Sequence, residues 1–242
     1  MRLVLLHGFT QSSQSWEAVC RHLPELVDAV PIEILTPEVP DGLDFAATAH
    51  SVVEAGGAGV YCGYSMGGRL CLRGALDAPG LVRGLVLVSA SAGIADEATR
   101  AQRAGLDEEL AAEARRVGVE EFLRRWLTQP LFSTLDVAAD EVARRAAKTS
   151  IERLEHQLRV LGQGAHEPMW DRLGELHMPM AMVTGRTDPK YEAIGDDIAA
   201  AVPGCVRLRV EGGHALPLEQ PKAVASVLVD MVRRVSAHDS AS

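Results

Sequence analysis

The chain has 242 residues, 47% hydrophobic and 24% charged, which suits one α/β domain or a core with a small lobe. Its net charge of −9, with no block of Lys or Arg, argues against nucleic acid and anionic membranes as partners, and leaves room for an anionic small substrate held by a local arginine cluster. Cys20, Cys62, Cys71 and Cys205 are scattered without C-x-x-C spacing, which fits reduced thiols in a cytoplasmic protein and neither a disulfide framework nor a metal site.

The N-terminus enters strand-like sequence at once, without a basic leader and cleavage site, and no apolar run is long enough to anchor the chain in a membrane. Short apolar runs predict strands near Leu3–Leu6, Ile32–Leu35, Val60–Cys62, Leu85–Ser89, Ala181–Thr184 and Val206–Val210. Amphipathic stretches between them predict helices over Ser15–Leu23, Leu43–Glu54, Met66–Ala78, Tyr191–Ala201 and Glu219–Val235, and the small polar tail from Ser236 to Ser242 reads as frayed. Strands alternating with helices imply an α/β fold with a mostly parallel sheet of about six strands, covered on both faces. Ligands then bind outside the carboxyl ends of the strands. From about Ser91 to Gly174 the alternation stops, and helical periodicity is clearest in Glu120–Leu127 and Ile151–Leu161. The expected organisation is a core of residues 1–90 and 175–242, with residues 91–174 inserted as a helical lid over the site.

The chemistry gathers at the strand ends. Gly63-Tyr64-Ser65-Met66-Gly67-Gly68, between a strand and a helix, is a G-x-S-x-G elbow that exposes a nucleophilic serine at a helix N-terminus. Asp188 follows the Ala181–Thr184 strand, where it is either the acidic partner of a histidine or an Asx turn before Pro189. His214, after Gly212-Gly213 and past the last strand, is poorly placed for a core histidine. The order Ser65, Asp188, His214 matches the catalytic triad of the α/β-hydrolase fold. His7-Gly8-Phe9 after the first strand resembles that fold's oxyanion-hole turn, which places the Phe9 and Met66 N–H groups as the oxyanion donors and leaves the His7 side chain to bond a loop carbonyl. Arg69 lies one helical turn beyond Ser65. A guanidinium buried there needs an anion, either an internal carboxylate or a substrate carboxylate held bidentately.

The resemblance extends into the insert. Gly63–Arg69, the pair Arg100-Ala101-Gln102-Arg103, Trp126-Leu127-Thr128-Gln129-Pro130-Leu131-Phe132 and Leu158-Arg159-Val160-Leu161-Gly162-Gln163-Gly164 resemble the 2-succinyl-6-hydroxy-2,4-cyclohexadiene-1-carboxylate synthases, pyruvate-eliminating lyases of menaquinone biosynthesis. The resemblance implies an enzyme without cofactor or metal, acting on a small polycarboxylate by proton abstraction through the triad. It also implies carboxylate contacts from Arg69 and Arg103, a pocket wall from Trp126, and further contacts from Tyr64 and Lys190. One more lid cation is implied, with Arg144, Arg145 and Lys148 as candidates. The chain departs from the family pattern at Thr36-Pro37-Glu38-Val39-Pro40-Asp41-Gly42, where an aspartate-proline-glycine-histidine-glycine turn is usual. A carboxylesterase or carbon–carbon bond hydrolase on the same triad is the alternative.

Overall fold

The computed structural model describes residues 1–34, 43–137 and 141–239. Six strands, β1 Arg2–Leu6, β2 Asp28–Ile32, β3 Gly59–Tyr64, β4 Val82–Val88, β5 Met180–Gly185 and β6 Val206–Val210, form one sheet in the order β2-β1-β3-β4-β5-β6. Every pairing is parallel. The winding direction reverses between β1 and β3, so the crevice at their carboxyl ends is the natural binding place.

Alternation along the strands feeds two cores. Val4, Leu6, Tyr61, Leu85, Leu87 and Met182 face one layer, where they meet Phe45, Val52 and Val53 of α2 (Phe45–Gly56), Leu70 of α3 (Met66–Asp77) and Ile198 of a helix after β5. Leu3, Leu5, Val60, Cys62, Val86, Val88 and Val183 face the other layer. That layer is closed by Val19 of α1 (Glu17–Cys20) and by Leu228 and Met231 near the C-terminus. Both faces are therefore dry, as an all-parallel sheet requires.

Between β4 and β5 the chain forms α4 (Glu97–Val117), α5 (Val119–Leu127), α6 (Glu141–Ala146) and α7 (Ile151–Arg159). Ala111, Ala114, Phe122, Leu154 and Leu158 make a third cluster there, with Phe9 and Trp126 packed against it. After β5 come α8 (Pro189–Ala201), α9 (Leu216–Glu219) and α10 (Pro221–Asp239). No helix among the described residues is long and apolar enough to cross a membrane.

Several boundaries differ from the sequence reading for local reasons. The second strand is Asp28–Ile32, not Ile32–Leu35: pairing with β1 sets Leu6 beside Ile32, and the edge position of β2 tolerates Pro31. The helix expected over Ser15–Leu23 is a 3-10 turn at Ser13–Trp16, then α1, then i+3 bonds from His22 to Val19 and from Leu23 to Cys20. The helix expected over Glu219–Val235 is divided between α9 and α10 at Gln220–Pro221, and α10 continues through the expected frayed tail to Asp239. α4 carries almost no amphipathic signal, because the residues it buries are Asp107, Ala111 and Ala114. The Thr36–Gly42 stretch and the last three residues lie outside the described residues.

Candidate active site

The turn from β3 to α3 allows only glycine at two positions. A Cβ on Gly63 would strike the Gly67 backbone, and one on Gly67 would lie 2.5 Å from the carbonyl oxygens of Leu6 and His7. This squeeze forces Ser65 to φ 51°, ψ −108°, a costly region for a non-glycine residue. The Ser65 N–H donates to the Val88 carbonyl at 2.9 Å, which ties the strained residue to β4.

The loops after β5 and β6 bring two side chains to Ser65. Ser65 Oγ lies 3.2 Å from His214 Nε2, and His214 Nδ1 lies 2.7 Å from Asp188 Oδ2. Asp188 is also the N-cap of α8, its Oδ1 accepting the Tyr191 N–H at 3.3 Å, so the Asx turn and the histidine contact coexist in one carboxylate. Glu219 of α9 fixes the other side: its carboxylate accepts the Gly213 N–H at 2.7 Å and the Ala215 N–H at 2.9 Å, clamping the backbone on both sides of His214. The chain Ser65–His214–Asp188 can take a proton through the hydroxyl and hold the resulting imidazolium against a buried carboxylate.

The first-strand turn faces the same place. The Phe9 N–H has no partner among the described residues, and the Met66 N–H opens α3, where no preceding carbonyl is in reach. The His7 side chain donates from Nδ1 to the Gly8 carbonyl at 2.8 Å, and its Nε2 accepts the Ile34 N–H at 3.3 Å. Thr10 holds φ 65°; its N–H reaches Gln157 Oε1 at 3.4 Å, and its hydroxyl accepts from Arg145 Nη1 at 2.7 Å. Tyr64 does not line the cavity. Its ring fills the space a Gly8 side chain would need and stands 5.4 Å from the His214 ring, and burial pushes its phenol above the usual range.

A cavity of about 510 Å³ opens over Ser65. Phe9, Met66, Arg69, Arg103, Trp126, Lys190 and His214 all border it. Arg69 is 5% exposed and has no carboxylate partner among the described residues. Its Nη1 donates to the Gly162 carbonyl at 3.3 Å, and its guanidinium lies 5.8 Å over the Phe45 ring. Burial holds it down to about 10 from 12.5, so it keeps its charge at neutral pH. Arg103 is paired with Asp107 at 2.8 Å through Nε. Asp107 keeps its Oδ2 unpartnered, and burial raises its carboxyl. Lys190 is exposed at the rim, 5.7 Å over the Tyr191 ring, in no ion pair with a described residue. Trp126 packs edge-on to Phe9 at 4.8 Å.

None of the three candidates for a further lid cation reaches the cavity. Arg144 and Lys148 are exposed, and Arg145 is buried between Glu141 and Thr10. The sequence reading missed Tyr191, Gln157 and Gln163, which do line it. Tyr191 stands three residues beyond Asp188, and this spacing on a capped helix was the one available signal. Among the described residues no group of His, Cys, Asp or Glu side chains is arranged to hold a metal ion.

A strained serine at the switch point, with its histidine and aspartate delivered by the loops after the last two strands, is how one large family of enzymes builds its site. The chain belongs to that family, the α/β hydrolases, whose sequence pattern it matches over residues 3–227. Within the family it is similar to a Bacillus subtilis (strain 168) protein provisionally named 2-succinyl-6-hydroxy-2,4-cyclohexadiene-1-carboxylate synthase, 28% identical across 96% of this chain and 90% of the relative. The Enterobacter sp. (strain 638) protein of the same name is 27% identical across 96% of this chain and 91% of its own length. Among solved structures, MenH from S. aureus superposes with a TM-score of 0.90 at 23% identity, over 98% of this chain and 94% of that one. An esterase from Thermogutta terrifontis reaches 0.77 at 20% identity, over 97% and 90%.

Proposed function

We propose that this chain is a lyase of menaquinone biosynthesis that eliminates pyruvate from 2-succinyl-5-enolpyruvyl-6-hydroxy-3-cyclohexene-1-carboxylate. The product is 2-succinyl-6-hydroxy-2,4-cyclohexadiene-1-carboxylate. The observation that carries this reading is Arg69, a buried cation one turn from Ser65, bordering the same cavity and unpaired by any described carboxylate. A buried guanidinium in that state calls for an anionic occupant. Relatives named for this reaction match almost the whole chain.

The chemistry follows from the two ring systems. Ring carbon 2 carries the succinyl ketone, so its hydrogen is acidic. His214, acting through Ser65, takes that proton. The carbon–hydrogen pair becomes the 2,3 double bond, the old 3,4 pair becomes the 4,5 double bond, and the bond from carbon 5 to oxygen breaks. The pyruvate enolate that departs takes a proton at its methylene carbon, returned by the imidazolium, and no other reactant is consumed. While carbon 2 loses its proton, charge builds on the succinyl carbonyl oxygen, to which the Phe9 and Met66 N–H groups donate. Arg69, Arg103 and Lys190 hold carboxylates, Trp126 supplies the apolar wall, and the helical segment 91–174 acts as a lid over them.

The test is to supply the enolpyruvyl cyclohexene to the purified chain and follow pyruvate with a coupled dehydrogenase. One pyruvate per product diene is expected. Absence of pyruvate, with the chain folded, refutes the reading.

A further inference from the structure

The Gly162-Gln163-Gly164 loop has no part in the scheme above, yet it is locked in place. A Cβ on Gly162 would strike the Leu158 carbonyl and the Asp107 carboxylate, and one on Gly164 would strike the Ala104 backbone. Glycine on both sides lets the loop wedge between α4 and α7. So held, it makes two contacts toward the cavity. The Gly162 carbonyl accepts from Arg69 at 3.3 Å, and Gln163 Nε2 donates to the Tyr191 hydroxyl at 2.8 Å.

Tyr191 is bound at three points. Its N–H is on Asp188, its ring lies 4.5 Å from the His214 ring, and its hydroxyl oxygen is occupied by the Gln163 amide. A phenol oxygen that already accepts from an amide has its own O–H left to give. Tyr191 borders the same cavity as Ser65 and Arg69, and it is 4% exposed. Burial raises its phenol while Arg69 and the Gln163 amide oppose the rise, so the group stays protonated at neutral pH as a donor.

We infer that Tyr191 is a catalytic residue whose O–H donates a hydrogen bond to the leaving enolpyruvyl oxygen, with Gln163 as the residue that positions it; this rests on the lyase reading above. The phenol keeps its proton. It stabilises the charge that the breaking bond between carbon 5 and oxygen leaves on that oxygen, at the opposite end of the diene system from the charge met by Phe9 and Met66. The proton that completes pyruvate still comes from His214. Base and leaving-group donor are thus separate groups on one wall, joined through Asp188.

Tyr191→Phe keeps the ring and the backbone N–H and removes the hydroxyl alone. The expected result is a kcat for pyruvate release lowered about 100- to 1000-fold with KM within about twofold, the size of one lost preorganised donor. Because the base is intact, unreacted substrate recovered from D2O should now carry deuterium at ring carbon 2, read by mass spectrometry. Gln163→Leu, which leaves Tyr191 in place, should show the same signature at smaller size, and the double variant should be no slower than Tyr191→Phe. The role is overturned if kcat is undiminished. It is equally overturned if pyruvate release and deuterium uptake fall together, which would mean that only His214 had been disturbed. Absence of pyruvate from the unaltered chain overturns the lyase reading and this role with it; pyruvate from the unaltered chain and from Tyr191→Phe at equal rates overturns this role alone.

Discussion

Replacing Arg69 by Met should move stability and activity in opposite directions. The guanidinium is held at about 10 instead of 12.5 chiefly by burial. At 1.36 kcal/mol per unit that is a cost of about 3 kcal/mol for keeping the charge inside. Against it stand one carbonyl at 3.3 Å, the face of Phe45 and the more distant charge of Asp107, with no direct ion pair to a described carboxylate. A methionine of similar length removes the charge and fills the space, and such exchanges stabilise by about 1–3 kcal/mol. For a chain of this size that is roughly 2–12 °C in Tm. Loss of the contact to a substrate carboxylate costs about 3–4 kcal/mol, roughly 150- to 900-fold in kcat/KM for pyruvate release. The assay pairs a thermal melt at neutral pH with coupled pyruvate release, and uses hydrolysis of a small neutral ester as the internal control. A Tm several degrees below the parent would show that Arg69 braces the fold. A parallel loss of elimination and ester hydrolysis would show that it serves the triad and not the substrate.

Asp188→Asn should lower pyruvate release by about 10³- to 10⁴-fold in a steady-state assay while leaving the melt nearly unchanged, because asparagine caps α8 as well as aspartate does but cannot hold an imidazolium. Gly67→Ala should cost at least about 3 kcal/mol, since its Cβ meets two backbone carbonyls that cannot yield, and a denaturant titration measures the loss. His166 is held down to about 4 from 6.5, first by burial and then by Arg69. The unfolded chain therefore binds the proton more readily, and the fold loses stability as pH falls from 6.5 toward 4, with no effect above 6.5. At about pH 5 the loss is about 2 kcal/mol. His166→Gln should remove it, so the Tm difference between pH 7 and pH 5 should shrink by roughly 4–8 °C.

The sheet and the elbow were legible because each rests on short-range rules. Short continuous apolar runs mark strands buried on both faces, and only glycine fits two residues to either side of Ser65. Asp188 and His214 stood out through their places after predicted strands and through their order in the chain. What escaped depends on contacts distant in the chain. Arg145 was a candidate for the cavity until α6 turned it onto Thr10, 135 residues earlier. Tyr64 adjoins Ser65 in sequence, but its ring lies under Gly8, off the cavity. Tyr191 was the first residue of a predicted helix, and its partner Gln163 comes from a loop 28 residues before it. The second strand was read at the apolar Ile32–Leu35 run because β2 is an edge strand whose residues before Ile32 are at most half-buried.

Thr10 has a wider consequence. Its backbone is held by Gln157 of α7 and its hydroxyl by Arg145 of α6, so the turn that carries the Phe9 N–H is braced by the helical segment instead of by the sheet. Core and insert are therefore not interchangeable parts. A chimera that kept the sheet and received another relative's helices would lose both braces unless Gln157 and Arg145 travelled with them. Even with Ser65, His214 and Asp188 untouched, the turn that carries the Phe9 N–H would lose its fixed place. In this chain the helices between β4 and β5 and the turn after β1 are thus one mechanical unit, and exchanging either means rebuilding the grip between them.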